Sequence, residues 1–326
     1  MISRVAENCF WLNRYVERAE TTARLVSVNR LVILDAGIHE AQRWKPIIVV
    51  TGEQERFESL VGKRGYDKDE EAEEYLTWSD ENPVSIRSSL AGARENARMS
   101  REVISREMWE TLNTVWQWLN SPAARKEYKK DRAQFHMRVR RTCAEFQGDC
   151  HDTMLHDEPF NFMRLGIVLE RANQTARVMD VKHHWSDAGS PGDYETAQQS
   201  AQWMGLLRLC SAVEPFFKRF SSAPTGPLVM RFILQDMGFP RSVTHCLDRA
   251  RNFVERIEAG TKHRTATSTR TLIQAATKRM RTADVSTIGH AELHSQLTQV
   301  TASNAKICDQ LYADFFDPAL PTVQKA

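Results

Sequence analysis

The sequence predicts an all-α fold, and three observations carry that prediction. Apolar residues recur at spacings of three and four through most of the chain, the period of a one-faced helix. No stretch shows a convincing alternation of apolar and polar residues that would mark a strand. Two long segments also repeat one another, and both copies carry the helical spacing. The expected architecture is a bundle of long antiparallel helices. It is built from two tandem, internally duplicated halves packed about a pseudo-two-fold axis.

Leu12, Tyr15, Val16, Ala19, Ala23 and Val26 form the first apolar stripe. Ser3 is a candidate N-cap, and Gly37 is a natural stop. Trp44 to about Val61 reads as a second helical stretch; within it Ile47–Val50 is the best strand candidate but is still read as helix. The acidic stretch 62–81 reads as a loop followed by a short helix. Asn82-Pro83 predicts a helix start, a capping side chain followed by Pro at the first position. That helix carries Ile86, Leu90, Ala93 and Ala97 and is expected to continue through Met108, Leu112, Val115 and Leu119 to Asn120. Ser121-Pro122 opens the next, with Tyr128, Phe135, Val139 and Phe146 on one face and Gly148 as its expected end. Leu293, Leu297, Val300, Ile307, Leu311 and Phe315 mark the last helix.

Composition bounds the function without naming it. Hydrophobic residues are 41% and charged residues 26%, enough apolar mass for a sizeable core. A net charge of +2 argues against a dedicated nucleic-acid binder. The densest apolar runs, Leu31–Leu34 and Ile47–Val50, are far too short to span a membrane. The first eight residues lack the basic-then-apolar order of a signal peptide. The cysteines (Cys9, Cys143, Cys150, Cys210, Cys246 and Cys308) are scattered, with no C-x-x-C pair. They read as reduced thiols of a cytoplasmic protein.

The repeat is specific. Val16-Glu17-Arg18-Ala19 matches Leu169-Glu170-Arg171-Ala172, and Thr22-Ala23-Arg24 matches Thr175-Ala176-Arg177. Trp44-x-x-Ile47-Ile48 parallels Trp203-x-x-Leu206-Leu207, and Phe57 parallels Phe216. Pro83-x-Ser85-Ile86-x-x-x-Leu90 parallels Pro240-x-Ser242-Val243-x-x-x-Leu247. Landmarks in the same order divide the chain into 1–150 and 151–326, expected to form one cooperative domain. The first helix of each half is expected to meet the other, with Ala19, Ala23, Ala172 and Ala176 allowing close approach.

The candidate site residues are Glu17, Arg18, Arg24, Glu170, Arg171 and Arg177. Neighbouring residues on a helix point about 100° apart, so Glu17 and Arg18 cannot pair with each other. They flank the apolar stripe, so they are expected to be partly buried and to need partners. One reading is a structural network in which Glu17 bonds an arginine of the other half and Glu170 returns the bond. The other is a central polar site, with carboxylates as acid, base or metal ligand and arginines as anion clamps. A third is ordinary solvated pairing.

At these residues the sequence resembles the bacterial alpha-E domain family, an all-helical family named for its Glu-Arg motif. The residues that carry the resemblance begin with Ser3-Arg4-Val5-Ala6-Glu7-Asn8 and Trp11-Leu12-x-Arg14-Tyr15-x-Glu17-Arg18-Ala19-Glu20. They continue with Asn82-Pro83-x-Ser85-Ile86, Ala93-Arg94-Glu95-Asn96-Ala97-Arg98, Leu165-Gly166-x-x-Leu169-Glu170-Arg171-Ala172 and Phe239-Pro240-Arg241-Ser242-Val243. Asn13 stands where the family usually has Gly, an exchange read as harmless in a helix. The resemblance implies a context: partnership with a circularly permuted ATP-grasp ligase and a transglutaminase-like peptidase. The expected function is therefore an accessory or interaction subunit in a peptide or amide-bond-forming pathway. The alternative is an enzyme using the buried Glu/Arg site on a peptide or amino-acid derivative. No cofactor or metal is implied.

Two weaker patterns remain. His151-Asp152-x-x-x-His156-Asp157 looks like a ligand cluster but reads better as a polar connector, and His183-His184 as a helix-end pair. Residues 121–141 and 261–281 are strongly basic, able to dock an acidic partner, a nucleotide or a peptide carboxylate, though solvated helix faces explain them more simply.

Overall fold

In the computed structural model, residues 3–36, 43–186, 197–260, 266–285 and 290–317 are described. Helices account for most of them, and no strand occurs among them. Two long helices dominate: α1 (Ser3–Ala36) and α9 (Glu158–Ser186). Between them lie α2 (Lys45–Thr51), α3 (Gln54–Leu60), α4 (Asp69–Trp78), α5 (Ile86–Met99), α6 (Arg106–Leu119), α7 (Pro122–Lys130) and α8 (Arg132–Thr153). After α9 come α10 (Ala197–Leu209), α11 (Val213–Arg219), α12 (Gly226–Met230), α13 (Val243–Gly260), α14 (Thr267–Thr282) and α15 (His290–Leu311).

Helices α1, α5, α6 and α8 pack in a closed ring, and α9, α13, α14 and α15 form another. Within each ring neighbours run antiparallel. Tyr15 of α1 packs over Gly92 of α5 while Thr22 reaches Val84 at that helix's entry. Thr111 of α6 bonds Asp149 of α8, and Trp118 stacks near Phe135. The stripe predicted for the first helix supplies the core: Leu12, Val16, Ala19, Ala23 and Val26 are all buried, as are Ala172 and Ala176 on α9. All-around burial of α1 and α9 explains why neither is strongly amphipathic.

The two rings meet along α1 and α9, and here the structure departs from expectation. These helices run side by side in the same direction, not antiparallel. Near their starts, Phe10 and Phe162 both contact the ring of Phe316. Further along, Val32 lies against Gly205 and Lys182 donates to Gln202, both on α10. Short loops force antiparallel packing only on consecutive helices. Helices α1 and α9 are separated by a whole ring, so no loop constrains them. Gly166 permits their close approach: a Cβ there would sit 2.3 Å from the Phe10 carbonyl oxygen.

Helix boundaries differ in several places. The stretch from Trp44 to Val61 is two helices, because Gly52 takes a left-handed conformation (φ 82°) after α2. Ile47–Val50 is helical as expected. Asn82 does not cap a helix: its side chain accepts from Val84 N–H and donates to the Tyr75 carbonyl, a turn. The cap is Ser85, whose hydroxyl accepts from Ser88 N–H, and Ser242 does the same for His245. The helix expected to run to Asn120 breaks after Met99, and Ser105 caps a fresh one. The one opened by Pro122 stops at Lys130, where Asp131 caps α8. Gly148 lies inside α8, where a Cβ would meet open space, so nothing about that position ends the helix. Ser3 is already helical. Gly37 falls outside the described residues.

Candidate functional site

The polar seam is built by helix geometry. Because Glu17 and Arg18 point about 100° apart, they reach opposite sides of the α1–α9 contact. The same is true of Glu170 and Arg171. With the helices side by side and in step, each carboxylate faces the other helix's arginine. Arg171 donates Nε to Glu17 Oε1 at 2.9 Å and Nη2 to Oε2 at 2.7 Å. Arg18 donates Nε to Glu170 Oε1 at 2.8 Å and Nη2 to Oε2 at 3.2 Å. Both pairs are two-pronged, the strongest geometry for a guanidinium and a carboxylate.

Each carboxylate also recruits a second cation, and these differ. Arg14, one helical turn before Arg18, donates Nε to Glu170 Oε2 at 2.9 Å, and Gln174 donates to Oε1 at 3.0 Å. The Arg14 guanidinium lies over the Trp11 ring, 4.6 Å from its centroid. On the other side Arg241 donates Nη1 to Glu17 Oε1 at 3.0 Å and Nη2 to Glu20 Oε2 at 3.1 Å. Sequence reasoning passed over Arg14, Glu20 and Arg241 as site residues. Arg14 could have been found from its i, i+4 relation to Arg18. Arg241 aligns with Val84 when Pro240-x-Ser242 is set against Pro83-x-Ser85, and that mismatch is the signal.

The remaining candidates lie further along the seam and bind no carboxylate of the Glu17 and Glu170 couples. Arg24 donates to Glu20 at 3.1 Å and to Thr21 at 3.3 Å, and reaches Ser211 at 3.5 Å. Arg177 donates Nη1 to the Val50 carbonyl at 2.8 Å, against Gly52. Thr22 donates to the Val84 carbonyl at 3.1 Å and Thr175 to the Arg241 carbonyl at 2.9 Å.

Electrostatics follow from this geometry. Burial alone would push the Glu17 carboxyl up, but Arg171 and Arg241 override it and hold it well below the ordinary range. Burial likewise opposes ionisation of Glu170, and Arg18 and Arg14 reverse it. Both therefore stay ionised at neutral pH and carry no proton to donate. Burial pushes the thiols of Cys9 and Cys246 up to about 12, which leaves them un-ionised and poor nucleophiles.

The two sides of the seam differ in access. Glu170 is fully enclosed. Glu17, Glu20, Arg171 and Arg241 instead line a cleft of about 560 Å³, with Arg140 and Arg141 of α8 opposite and Val16, Cys143 and Ala144 among its apolar walls. A second cleft of about 930 Å³ lies between α4 and α7, with Trp78, Tyr75 and Tyr128 against Glu70, Glu74, Arg125 and Arg132.

Among the described residues, no group of His, Cys, Asp and Glu is arranged to hold a metal ion. His151 pairs with Asp152 at 2.9 Å, and His156 bonds the His151 carbonyl and stacks on Phe160. His183 stacks on His294, which bonds Asp180 at 2.6 Å. Asn13 is fully buried, and its carbonyl oxygen accepts from Gln147 at 3.4 Å.

The family profile described as a predicted alpha-helical domain with a conserved ER motif matches residues 1–316. The chain belongs to the Alpha-E family. Comparison with curated proteins and with solved structures returned no match. The Glu17-Arg18 and Glu170-Arg171 dipeptides of this Alpha-E chain are thus the two that tie α1 to α9. No helix among the described residues is long and apolar enough to cross a membrane.

Proposed function

We propose that this Alpha-E protein is an accessory or interaction subunit of an amide-bond-forming pathway. Its partners are a circularly permuted ATP-grasp ligase and a transglutaminase-like peptidase. The observation that supports an accessory role is the saturation of both carboxylates. Glu17 and Glu170 each hold two guanidinium groups and stay ionised, an arrangement suited to fastening α1 to α9 and not to proton transfer. The partners rest on the family resemblance alone. An ATP-consuming ligase works where ATP is, so the reading puts the complex in the cytoplasm.

The same proposal includes a tandem duplication, 1–150 and 151–326, about a pseudo-two-fold axis, forming one cooperative domain. Matched details support it. Thr22 bonds Val84 as Thr175 bonds Arg241, and Pro83-x-Ser85 repeats as Pro240-x-Ser242. Arg177 lies against left-handed Gly52, and Arg24 reaches Ser211, the one non-glycine residue with positive φ (51°) among those described.

Affinity purification of the tagged protein from cells that also express the ligase tests the function. Stoichiometric recovery of the ligase is expected, and the accessory reading fails if none is retained. The rival reading, an enzyme acting on a peptide or amino-acid derivative, draws on the opening of the Glu17 side onto a cleft. Glu17→Gln separates the two. A scaffold loses stability and keeps ligase binding in the folded fraction; an enzyme loses turnover at unchanged stability.

A further inference from the structure

We propose that the cleft bounded by α1, α8, α9 and the entry to α13 binds a small multivalent oxyanion, a ligand presenting phosphate or carboxylate groups. The inference is independent of the ligase partnership.

The first observation is an imbalance of charge. Four guanidinium groups, Arg140, Arg141, Arg171 and Arg241, line the cleft against two carboxylates, Glu17 and Glu20. Those carboxylates are already committed. Glu17 holds Arg171 and Arg241, and Glu20 holds Arg241 and Arg24. Arg140 comes no nearer to an acid than 3.5 Å, from Nε to Glu20, and that Nε is buried without a hydrogen bond. Arg141 has no ion-pair partner among the described residues. Arg164, seven residues before Arg171 on α9, is half-buried with no carboxylate partner. Arg24, at the back of Glu20, is held down to about 10, first by burial and then by Arg241. Arg140 is partly buried and Arg141 exposed, so this excess of positive charge stands at the mouth of the cleft, where it attracts an outside anion.

The second observation is that the feature is one-sided. Helix α15 takes beside α9 the place that α8 takes beside α1, and its only Lys or Arg is Lys306. Helix α8 carries Arg132, Arg138, Arg140 and Arg141. Arg241 stands where the repeat has Val84. Glu170 itself is wholly buried, whereas the Glu17 couple lines the cleft. Each carboxylate holds two arginines, so the cleft arginines without a counterpart on the Glu170 side are Arg140 and Arg141, both from α8. The forks of Arg171 and Arg241 are held by Glu17 and Glu20, which leaves the adjacent Arg140 and Arg141 to meet the oxygens of a phosphate or carboxylate group. Val16, Cys143 and Ala144 leave room for an apolar portion of the same ligand.

Isothermal titration of the full chain at low ionic strength tests this, with pyrophosphate in one arm and triglutamate in the other. Saturable one-to-one binding of at least one probe is expected, with Kd below about 1 mM. Pyrophosphate alone identifies a phosphate ligand, triglutamate alone a peptide carboxylate, and both together general oxyanion recognition. The double variant Arg140→Gln/Arg141→Gln is expected to weaken binding about tenfold or more. Its ligand-free Tm is expected to hold or rise, because the substitutions relieve repulsion. Arg125→Gln/Lys129→Gln, outside the cleft, should bind like the parent. The proposal is overturned if neither probe binds with Kd below about 1 mM, if the α8 variant binds as tightly as the parent, or if the control pair weakens binding equally.

Discussion

Glu170 shows what a single carboxylate does in this seam. Its side chain is wholly enclosed and accepts from Arg14, Arg18 and Gln174. Replacing it with Gln keeps the shape and removes the charge, so two guanidinium groups are left facing each other away from water. Glu170→Gln is expected to cost about 3–5 kcal/mol of unfolding free energy, read as a shift in the urea midpoint. An exposed couple such as Arg106–Glu110 is a fair contrast, since solvent screens it and removing Glu110 should leave the urea midpoint near that of the parent. The couples themselves were legible in the sequence, because two identical dipeptides on matched helices suggest exchange. Their second cations were not: nothing local singles out Arg241, which arrives from a turn 224 residues beyond Glu17.

Two glycines decide matters for their helices in opposite ways. Gly166 lets α9 lie against the backbone of α1, and a methyl group there would collide with the Phe10 carbonyl, which cannot rotate away. Gly148 lies within α8 with free space about it. Gly166→Ala is expected to destabilise by about 2 kcal/mol or more, and Gly148→Ala to stabilise by about 0.5–1 kcal/mol. Thermal unfolding of the two variants checks both signs. Both positions look alike as glycines in helical patterns, and only the neighbouring helix distinguishes them. Helix boundaries differ from the local pattern for a related reason. Ile86–Leu119 keeps one apolar period through a real break, because the helices on either side of Ser100–Ser105 face the same core. Asn82-Pro83 has the residues of a cap, but Ser85 competes successfully for that role, and Asn82 turns to the Tyr75 carbonyl instead.

For the whole molecule, acid stability follows from the buried groups. His136 is buried beside Thr77, and burial, with Arg30 next, holds its pKa down to about 3. An unfolded histidine titrates near 6.5, so between those values the unfolded chain binds a proton that the folded chain refuses. This contribution is complete above about pH 6.5 and declines as pH falls toward 3. The depressed carboxyls of Glu17 and Glu170 add a second loss, present in full above about pH 4.3 and surrendered below it. The urea midpoint is therefore expected to fall in two stages on acidification. His136→Phe should flatten the fall between about pH 6.5 and 4.3 and leave only the carboxylate loss below it. An unchanged first stage in that variant would assign it to other groups.

The sequence by itself determined the all-helical class, the apolar faces and the matched Glu-Arg dipeptides, because helical period and side-chain direction depend on residues three and four apart. Tertiary structure alone decided that α1 and α9 run the same way, that Arg14 and Arg241 join the seam, and that one side of it opens into a cationic cleft. Those outcomes depend on contacts between residues more than a hundred positions apart, where packing direction is set by every helix at once and no local pattern records it.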